Sequence, residues 1–376
     1  MTERELTAFF EDLHRHPELA LRETRTAAKI RACLAEAGVE TAPCTLPTGT
    51  LAVSRGAKPG RTVGIRADMD ALPVREETGL PYASETPGVM HACGHDFHTA
   101  CALGAALLLK AREEDLAGTV KIVFQPGEET SEGGKVMARE TFLADVEEFY
   151  ACHTYPAFEA GTLGLKPGPV MAAPDAFTVR IRGRGTHAGN PHFGVDPIPA
   201  AAALILSAQT LITRGKDAFE PAVLSFSHLE AGTTWNIIPD EVLLEGTLRT
   251  LDPALRESVS RRLGEMADLV ARAHGCAAEI EWMRGPDPLM NDPDLVRAGE
   301  DLARRMGFTV RPQANTMGGE DFSEYLRGIP GLFVRVGTGG GYTNHHPKFA
   351  VDEKALWPAA RFFAAFAAER AALAGD

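Results

Sequence analysis

The chain has 376 residues, 44% of them hydrophobic, and this length and composition predict a globular protein of about two domains. Its 51 acidic residues outnumber its 38 basic residues, and the net charge of -13 argues against nucleic acids or anionic membranes as partners. The chain begins without a basic segment leading into an apolar core and has no run of about 20 apolar residues, so we expect a soluble cytoplasmic protein. The six cysteines are then expected to be thiols, and four are predicted to be structural: Cys33, Cys44, Cys101 and Cys276.

The N-terminal part of the chain predicts two helices followed by two short strands. Periodic apolar residues predict helices over residues 3–15 and 23–37, and Gly38 would end the second one. β-Branched residues predict strands over residues 50–54 and 62–66. The second strand leads into Asp68 and Asp70, which share one face if the chain stays extended.

The segment Met90–His98 concentrates metal-binding side chains at the entrance of an apolar helix, which Asp96 is predicted to cap. If this segment is extended, alternation puts His91, Cys93 and His95 on one side. Imidazole and thiolate are the donors that suit zinc and its transition-metal neighbours. A cysteine and histidines packed under a helix remain the alternative, but the density of donors favours a metal site.

Further polar side chains follow three later strands. Glu128 and Glu129 come after the first, His153 ends the second, and His345 follows the third through a glycine loop. In open α/β sheets ligands gather at the carboxyl ends of strands, so these side chains can converge although they are far apart in sequence. The three strands are predicted over residues 119–124, 148–153 and 331–337.

The middle of the chain predicts a separate domain with the element order β-α-β-β-α-β. This order matches the ferredoxin-like unit, in which two helices cover a small antiparallel sheet, and Pro174 and Pro286 mark plausible hinges. The strands are predicted over residues 177–182, 223–229, 242–250 and 278–283, and the helices over residues 197–213 and 253–274.

The polar residues outside this middle domain suggest a two-metal centre with an acid–base group beside it. A thiolate such as Cys93 can bridge two cations, and imidazoles can complete their coordination shells. Glu128 and Glu129 can divide the roles of ligand and general base because neighbouring side chains point in different directions, but the residues alone do not assign the roles. A solvated acidic loop is the alternative for such a pair.

Eight short motifs, spread over nearly the whole chain, form a set that is far more specific than any one of them. They are Arg66–Pro73, Met90–Asp96, Phe124–Pro126 with Glu128–Glu129, Gly185–Ala188, Asn236–Pro239, Gly246–Arg249, Met317–Phe322 and His345–Pro347. With these motifs the sequence resembles the metallo-aminoacylase branch that includes hippurate hydrolases, N-acetyl-diaminopimelate deacetylases and plant auxin-conjugate amidohydrolases.

The resemblance implies an α/β fold in two parts. Residues 1–172 and 286–376 would form a catalytic domain, with a mixed sheet, helices on both faces and two divalent metal ions. Residues 173–285 would form an inserted βαββαβ ferredoxin-like lid and dimerisation domain, so a homodimer or a higher homo-oligomer is expected. Thiolate and imidazole donors permit zinc, manganese, cobalt or nickel.

The resemblance also implies a role for each candidate residue of the metal site. Glu128 would be the general base, and Asp70 would support the site from behind the ligands. More distant relatives usually hold a bridging aspartate at the position of Cys93, so the thiolate is typical of this branch and is expected to bridge the two metals. The implied metal ligands are Cys93, His95, Glu129, His153 and His345. Three neighbouring histidines are not expected to be ligands: His91, His98 and His346.

Residues of the inserted domain would act on the substrate. His187 would stabilise the tetrahedral oxyanion, commonly across a subunit boundary in this family. Asn236 and Arg249 resemble residues that hold the carboxylate or carbonyl of the substrate, and an arginine fork suits a carboxylate. The sequence departs from the common family pattern at Gly127, where alanine is usual, and this affects the shape of the pocket more than the chemistry.

The sequence therefore predicts a metal-dependent amidohydrolase that cleaves a small N-acyl amino acid to a carboxylic acid and a free amino acid. A dipeptidase or carboxypeptidase with the same metal centre is the nearest alternative. An alternative of another class is a catalytically silent protein that binds acylated amino acids. The presence in the sequence of Glu128, His187 and all five ligand positions argues against a catalytically silent protein.

Overall fold

The computed structural model describes residues 1–374, which form two compact units. The first comprises Met1–Gly168, Met290–Ala314 and the described part of Asp321–Asp376, and the second comprises Pro169–Leu289 and Asn315–Glu320. The second unit thus includes a segment, Asn315–Glu320, that lies outside the range 173–285 expected for the inserted domain. Within residues 1–374, no helix is long and apolar enough to cross a membrane.

Helices and strands alternate through most of the chain. In residues 1–374 the α-helices are α1 (Glu3–Arg15), α2 (Thr24–Glu36), α3 (His95–Lys110), α4 (Gly133–Met137), α5 (Pro197–Thr213), α6 (Pro253–Ala273), α7 (Pro293–Arg305) and α8 (Leu356–Ala371). The strands are β1 (Glu40–Ala42), β2 (Thr50–Arg55), β3 (Lys58–Asp68), β4 (Ala117–Gln125), β5 (Glu148–Tyr155), β6 (Thr162–Leu165), β7 (Gly168–Met171), β8 (Ala173–Arg182), β9 (Thr186–His187), β10 (Ala222–Ala231), β11 (Ile237–Ile238), β12 (Glu241–Thr250), β13 (Ala277–Met283), β14 (Leu289–Asn291), β15 (Thr309–Pro312) and β16 (Gly331–Gly337). Short 3-10 helices span Thr141–Leu143, Pro191–Phe193, Asp321–Leu326 and Glu353–Ala355.

The first unit is built on one eight-stranded sheet with the order β1-β2-β4-β3-β5-β16-β6-β15. The four central strands β4, β3, β5 and β16 run parallel to their neighbours in this group. Strand β2 is antiparallel to β4, and β6 is antiparallel to β16, so the sheet is mixed, as predicted.

Both faces of this sheet are covered. Successive residues of a strand point to opposite faces, and every residue of β16 is buried. In β5, Tyr150 packs against Phe366 of α8 with ring centroids 4.8 Å apart, whereas Phe149 packs against Tyr325 of the 3-10 helix Asp321–Leu326 at 5.1 Å. The predicted arrangement of helices on both faces is therefore confirmed, with long helices on one face and short helical segments on the other.

Helix α3 begins before Asp96, so the prediction that Asp96 caps this helix is wrong. The N-cap is Gly94, whose φ of 88° lies in the left-handed region. A Cβ atom at this position would lie 2.5 Å from Oγ1 of Thr154, so only glycine fits. Oδ2 of Asp96 instead lies 2.6 Å from Nδ1 of His14 in α1.

The second unit has the element order β8-α5-β10-β12-α6-β13. Its four strands form an antiparallel sheet with the order β10-β12-β8-β13, which is the ferredoxin-like topology. Burial alternates along β8, where Phe177, Val179 and Ile181 face the core made with α5 and α6. The opposite face of the sheet carries polar residues such as Arg180 and Glu241. The role of this unit as a lid or dimerisation domain stays a prediction.

Candidate metal centre

Polar side chains collect at one edge of the mixed sheet of the first unit. Strands β3, β4, β5 and β16 are parallel, so their carboxyl ends lie at the same edge. His153 lies near the end of β5, Glu128 follows β4 after a short loop, and His345 follows β16 after a longer one. Cys93 and His95 enter this edge from the start of α3.

The donor atoms form two groups that share Sγ of Cys93. In one group Sγ lies with ring nitrogens of His95 and His153, and in the other with a carboxylate oxygen of Glu129 and a ring nitrogen of His345. Within each group the donor atoms lie within 4.8 Å of one another. Nε2 of His153 is 3.5 Å from Sγ, and Nε2 of His345 is 3.3 Å from Oε1 of Glu129. The fold thus brings together all five residues that the sequence suggested as ligands.

The hydrogen bonding of these donors fits divalent metal ions. Nε2 of His95 and Oε1 of Glu129 are buried, and within residues 1–374 no contact of either atom has hydrogen-bond geometry, including the 3.3 Å approach of His345 to Oε1. This arrangement is unfavourable unless a cation satisfies both atoms. Nδ1 of His95 lies 3.2 Å from Oδ1 of Asp70, and Nδ1 of His153 lies 2.8 Å from the carbonyl oxygen of Thr154. A proton on each Nδ1 satisfies both contacts and leaves both Nε2 lone pairs free for a metal.

The electrostatics of the site also favour cations. Burial raises the pKa of the Cys93 thiol well above its ordinary value, so a nearby cation is needed to stabilise the thiolate. Burial lowers the pKa of His153 well below its ordinary value and keeps the ring neutral, as a ligand must be. Burial acts in the same direction on His95, but the charges of Asp68 and Cys93 outweigh it and hold the pKa of His95 well above its ordinary value. The site is therefore an acidic cavity that stabilises positive charge.

Asp70 holds the loop that carries both glutamates. Its Oδ1 accepts a hydrogen bond from the backbone N–H of Glu128, and its Oδ2 accepts one from that of Glu129, both at 3.0 Å. The same carboxylate orients the ring of His95. One buried side chain thus contacts three candidate functional residues, and its supporting role stays a prediction.

His98 is close to the donors but has no free nitrogen. Its Nδ1 lies 2.6 Å from Oδ1 of Asp68, and its Nε2 accepts a hydrogen bond of 2.8 Å from the backbone N–H of Thr154. Asp68, His95 and His98 form a further group of possible donors. Because both ring nitrogens of His98 are occupied, its position fits a supporting residue better than a ligand.

Two other histidines lie outside the donor groups formed by residues 1–374. Burial lowers the pKa of His91 to about 4, and His91 precedes α3 and belongs to none of the groups of possible donors in the described part of the chain. Nδ1 of His346 accepts a hydrogen bond from the backbone N–H of Lys348. Neither residue is placed to join the cluster.

Thr154 and Asn344 support the site, although neither was among the predicted site residues. Oγ1 of Thr154 donates to the carbonyl oxygen of Cys93 at 2.9 Å, and Nδ2 of Asn344 donates to the same oxygen at 3.0 Å. Both residues therefore hold the backbone of the shared donor. Their only signal in the sequence is that each is adjacent to a predicted ligand, His153 or His345.

In the second unit, His187 and Asn236 lie side by side. His187 in β9 pairs with Ile237 of β11, and the backbone N–H of Ala188 donates to the carbonyl oxygen of Asn236 at 3.0 Å. The side chain of His187 is exposed, and that of Asn236 is partly buried. They lie beyond the Glu241 end of β12, because β8 pairs with that end just before the chain turns into β9.

Arg249 lies at the other end of the same strand. It pairs with Pro174 near the start of β8, eight residues along β12 from Glu241. Its Nε donates to Oγ1 of Thr247 at 2.9 Å, and burial lowers the pKa of the half-buried guanidinium. At about 3.3 Å per residue, Arg249 is roughly 26 Å along the strand from the end that carries His187.

Three comparisons identify known proteins that this chain resembles. The family described as Peptidase family M20/M25/M40 matches residues 64–369. An N-acetyl-L-cysteine deacetylase of Bacillus subtilis is 42% identical over 360 residues, covering 96% of this chain and 86% of the relative. Thermostable carboxypeptidase 1 of Saccharolobus solfataricus is 34% identical over 353 residues, covering 92% of this chain and 90% of the relative. The crystal structure of the YXEP protein of Bacillus subtilis, a dinuclear metal binding peptidase from the M20 family, superposes with a TM-score of 0.90 at 38% identity, covering 98% of each chain.

Proposed function

This chain belongs to peptidase family M20/M25/M40, and from that premise we propose that it is a metal-dependent amidohydrolase acting on N-acyl amino acids. The products would be a carboxylic acid and a free amino acid. The observation that carries this proposal is the pair of donor groups that share Cys93, with Glu128 beside them. The related N-acetyl-L-cysteine deacetylase supports a small acyl group, such as acetyl, on the substrate.

Five side chains would hold two divalent cations. Cys93 would contribute to both sites, His95 and His153 would complete one, and Glu129 and His345 would complete the other. When bound, the cations would supply Lewis acidity at the scissile amide and at the attacking water. Zinc, manganese, cobalt and nickel all suit a set of thiolate, imidazole and carboxylate donors.

Glu128 would transfer the protons of the reaction. Its donor atom lies within 4.8 Å of those of His95 and Glu129, so the carboxylate is within reach of a water at the cluster. It would take a proton from the attacking water and return it to the leaving nitrogen. Because Asp70 fixes the backbone of both glutamates, the base is held beside the ligands before substrate binds.

The substrate would be held by residues of the second unit. His187 would donate a hydrogen bond to the oxyanion, while Asn236 and Arg249 would contact the carboxylate or carbonyl of the substrate. His187 and Arg249 lie at opposite ends of β12, too far apart to touch one small substrate from a single chain. We therefore infer a homodimer or a higher homo-oligomer in which one site uses His187 and Asn236 from one copy and Arg249 from another.

The test is hydrolysis before and after metal removal. The purified protein is dialysed against a chelator, its metal content is measured, and activity on N-acetyl and N-benzoyl amino acids is followed as metals are added back. Activity should disappear with the metal and return at about two ions per chain. Full activity in a protein free of metal would contradict the proposal.

The same assay distinguishes the proposed amidohydrolase from a dipeptidase or carboxypeptidase, an alternative that the carboxypeptidase relative supports. A panel of N-acyl amino acids is compared with dipeptides that have a free amino terminus. A higher kcat/KM for dipeptides would show that dipeptides are the preferred substrates, hydrolysed by the same metal-dependent chemistry. Binding of N-acyl amino acids without turnover at full metal loading would support a silent binding protein.

A further inference from the structure

Three consecutive backbone amides of the loop after β4 are held by buried carboxylates. Asp70 accepts hydrogen bonds from the N–H groups of Glu128 and Glu129. The preceding N–H, that of Gly127, donates to Oε1 of Glu23 at 2.9 Å. Two acidic side chains from distant parts of the chain thus fix the segment from which the proposed base and one proposed ligand project.

The side chain of Glu23 is placed for this contact rather than for capping its own helix. It is fully buried, and its Oε1 also accepts a hydrogen bond of 3.0 Å from the backbone N–H of Leu21. Glu23 is the N-cap residue of α2, yet its side chain makes no capping hydrogen bond. Glu18 fills that role instead, since its two carboxylate oxygens accept from the backbone N–H groups of Arg25 and Thr26 at 3.0 and 2.8 Å.

The backbone around this contact adopts a conformation that needs to be held. Gly127 has a φ of 65°, and Leu21 has a φ of 61°, which is uncommon for a residue with a side chain. A Cβ atom at Gly127 would lie 2.9 Å from Cδ2 of Leu21, so the two left-handed turns pack directly against each other. One oxygen of Glu23 ties their amides together.

We propose that Glu23 is a positioning residue for the reaction, because its carboxylate fixes the amide of Gly127 and thereby the direction of Glu128 and Glu129. The proposal rests on the function proposed above. Glu23 does not contact the substrate. It acts through the loop, as Asp70 does, and the loss of either carboxylate would free one end of the same turn.

The test compares Glu23→Ala with a matched control, Glu18→Ala. Each substitution removes a carboxylate that accepts two backbone hydrogen bonds, but only the carboxylate of Glu23 reaches the loop after β4. Each variant is assayed for kcat and KM at saturating metal, and Co²⁺ binding is titrated by visible absorption. Glu23→Ala should lower kcat about 10- to 100-fold with KM changed less than about threefold, and weaken Co²⁺ binding about 10- to 100-fold. Glu18→Ala should change kcat and Co²⁺ binding less than about threefold, although it lowers the melting temperature.

Two further variants keep the test decisive if Glu23→Ala does not fold. Glu23→Gln retains an acceptor oxygen and should stay within about threefold of the native kcat and Co²⁺ affinity. Glu23→Asp withdraws the acceptor by one methylene and should lower both by about 5- to 20-fold. Native values for Glu23→Asp, or equal losses for Glu23→Ala and Glu18→Ala, would overturn the positioning role.

The outcome separates this inference from the proposed function. If the native holoenzyme hydrolyses no N-acyl amino acid, but Glu23→Ala still weakens Co²⁺ binding and Glu18→Ala does not, the positioning role stands and the substrate class is wrong. If the native enzyme is active and Glu23→Ala matches it in both kcat and Co²⁺ binding, the function stands and the positioning role is wrong.

Discussion

The donor cluster of the first unit and the loop pair of the second unit that carries His187 and Asn236 are built in opposite ways. In the cluster, Cys93, His95 and His153 are buried and only His345 of the five donors is exposed. The ring of His95 is oriented by Asp70, a residue 25 positions away. In the loop pair, His187 is exposed and Asn236 is partly buried, and both side chains bond to chain neighbours: Nδ1 of His187 accepts from the backbone N–H of Gly189 at 3.0 Å, and Oδ1 of Asn236 accepts from Oγ1 of Thr234 at 3.2 Å. Trp235, beside Asn236, is 92% exposed.

This difference indicates how the two regions would contribute to one reaction. Buried donors held by long-range hydrogen bonds keep their geometry before any ligand arrives. Exposed residues held by local bonds are ordered fully only when another surface covers them, and an exposed indole at that position is typical of an interface. The donor cluster would therefore supply the chemistry, and the loop pair would complete it on contact with substrate and a second copy.

The largest effect should come from Glu128, the proposed base beside the donor cluster. Glu128→Gln removes the proton acceptor but keeps the size of the side chain, so kcat should fall about 10²- to 10⁴-fold. Metal content, measured on the same preparation, should stay near that of the native protein. Near-native turnover with metal bound would show that another group is the base.

His187→Ala should have the next largest effect, about 10²- to 10³-fold in kcat, because it removes one hydrogen bond to the oxyanion. Its metal content should not change, since His187 lies in the second unit. An equal mixture of Glu128→Gln and His187→Ala subunits tests where it acts. If His187 serves the site of a partner, mixed dimers contain one intact site, and about a quarter of the native activity should return. No recovery after subunit exchange would place His187 in the site of its own chain.

The sequence was informative where local chemistry decides the structure. Helix α5 was predicted over residues 197–213 and is observed there, because Asp196 caps it and Pro197 occupies its first position. Strand β16 was likewise predicted with its observed bounds, since it is a short run between glycines that is apolar except for Arg335.

The sequence failed where a distant residue decides. An acidic residue at the start of an apolar helix is typical of a cap, but Thr154 leaves no space for a side chain at position 94 and His14 takes the carboxylate of Asp96. The supporting roles of Thr154, Asn344 and Glu23 depend on backbone contacts across the fold, and no local pattern reveals such contacts. The candidate donors could be suggested from residue types, whereas the groups that share Cys93 required the fold.

A smaller effect should follow from changing Gly94, the N-cap of α3, which lies between two residues of the donor cluster. Gly94→Ala would force alanine into the left-handed region and against Thr154, which should lower the free energy of unfolding by about 2–5 kcal/mol. Because Cys93 and His95 flank this position, metal affinity should fall as well. The equivalent change at Gly79, which also has a positive φ but nothing within 4 Å, is the control and should cost only about 1 kcal/mol. Urea unfolding with metal present distinguishes the two, and equal losses would mean that contact with Thr154 is unimportant.

The smallest effect concerns the charge network behind the donor cluster. Burial disfavours charge on His14, but Asp96 at 2.6 Å and Glu76 at 3.3 Å outweigh it and raise its pKa to about 9. Because this pKa lies above the unfolded value of 6.5, the folded state binds the proton more tightly than the unfolded state does. The protonated His14 therefore stabilises the fold fully below pH 6.5, and this stabilisation is lost as the pH rises through 9. The difference in unfolding free energy between the native protein and His14→Gln should therefore shrink by up to about 3 kcal/mol between pH 6.5 and 10. A difference that does not vary over this pH range would show that His14 is neutral there and that its contacts with Asp96 and Glu76 are not charge interactions.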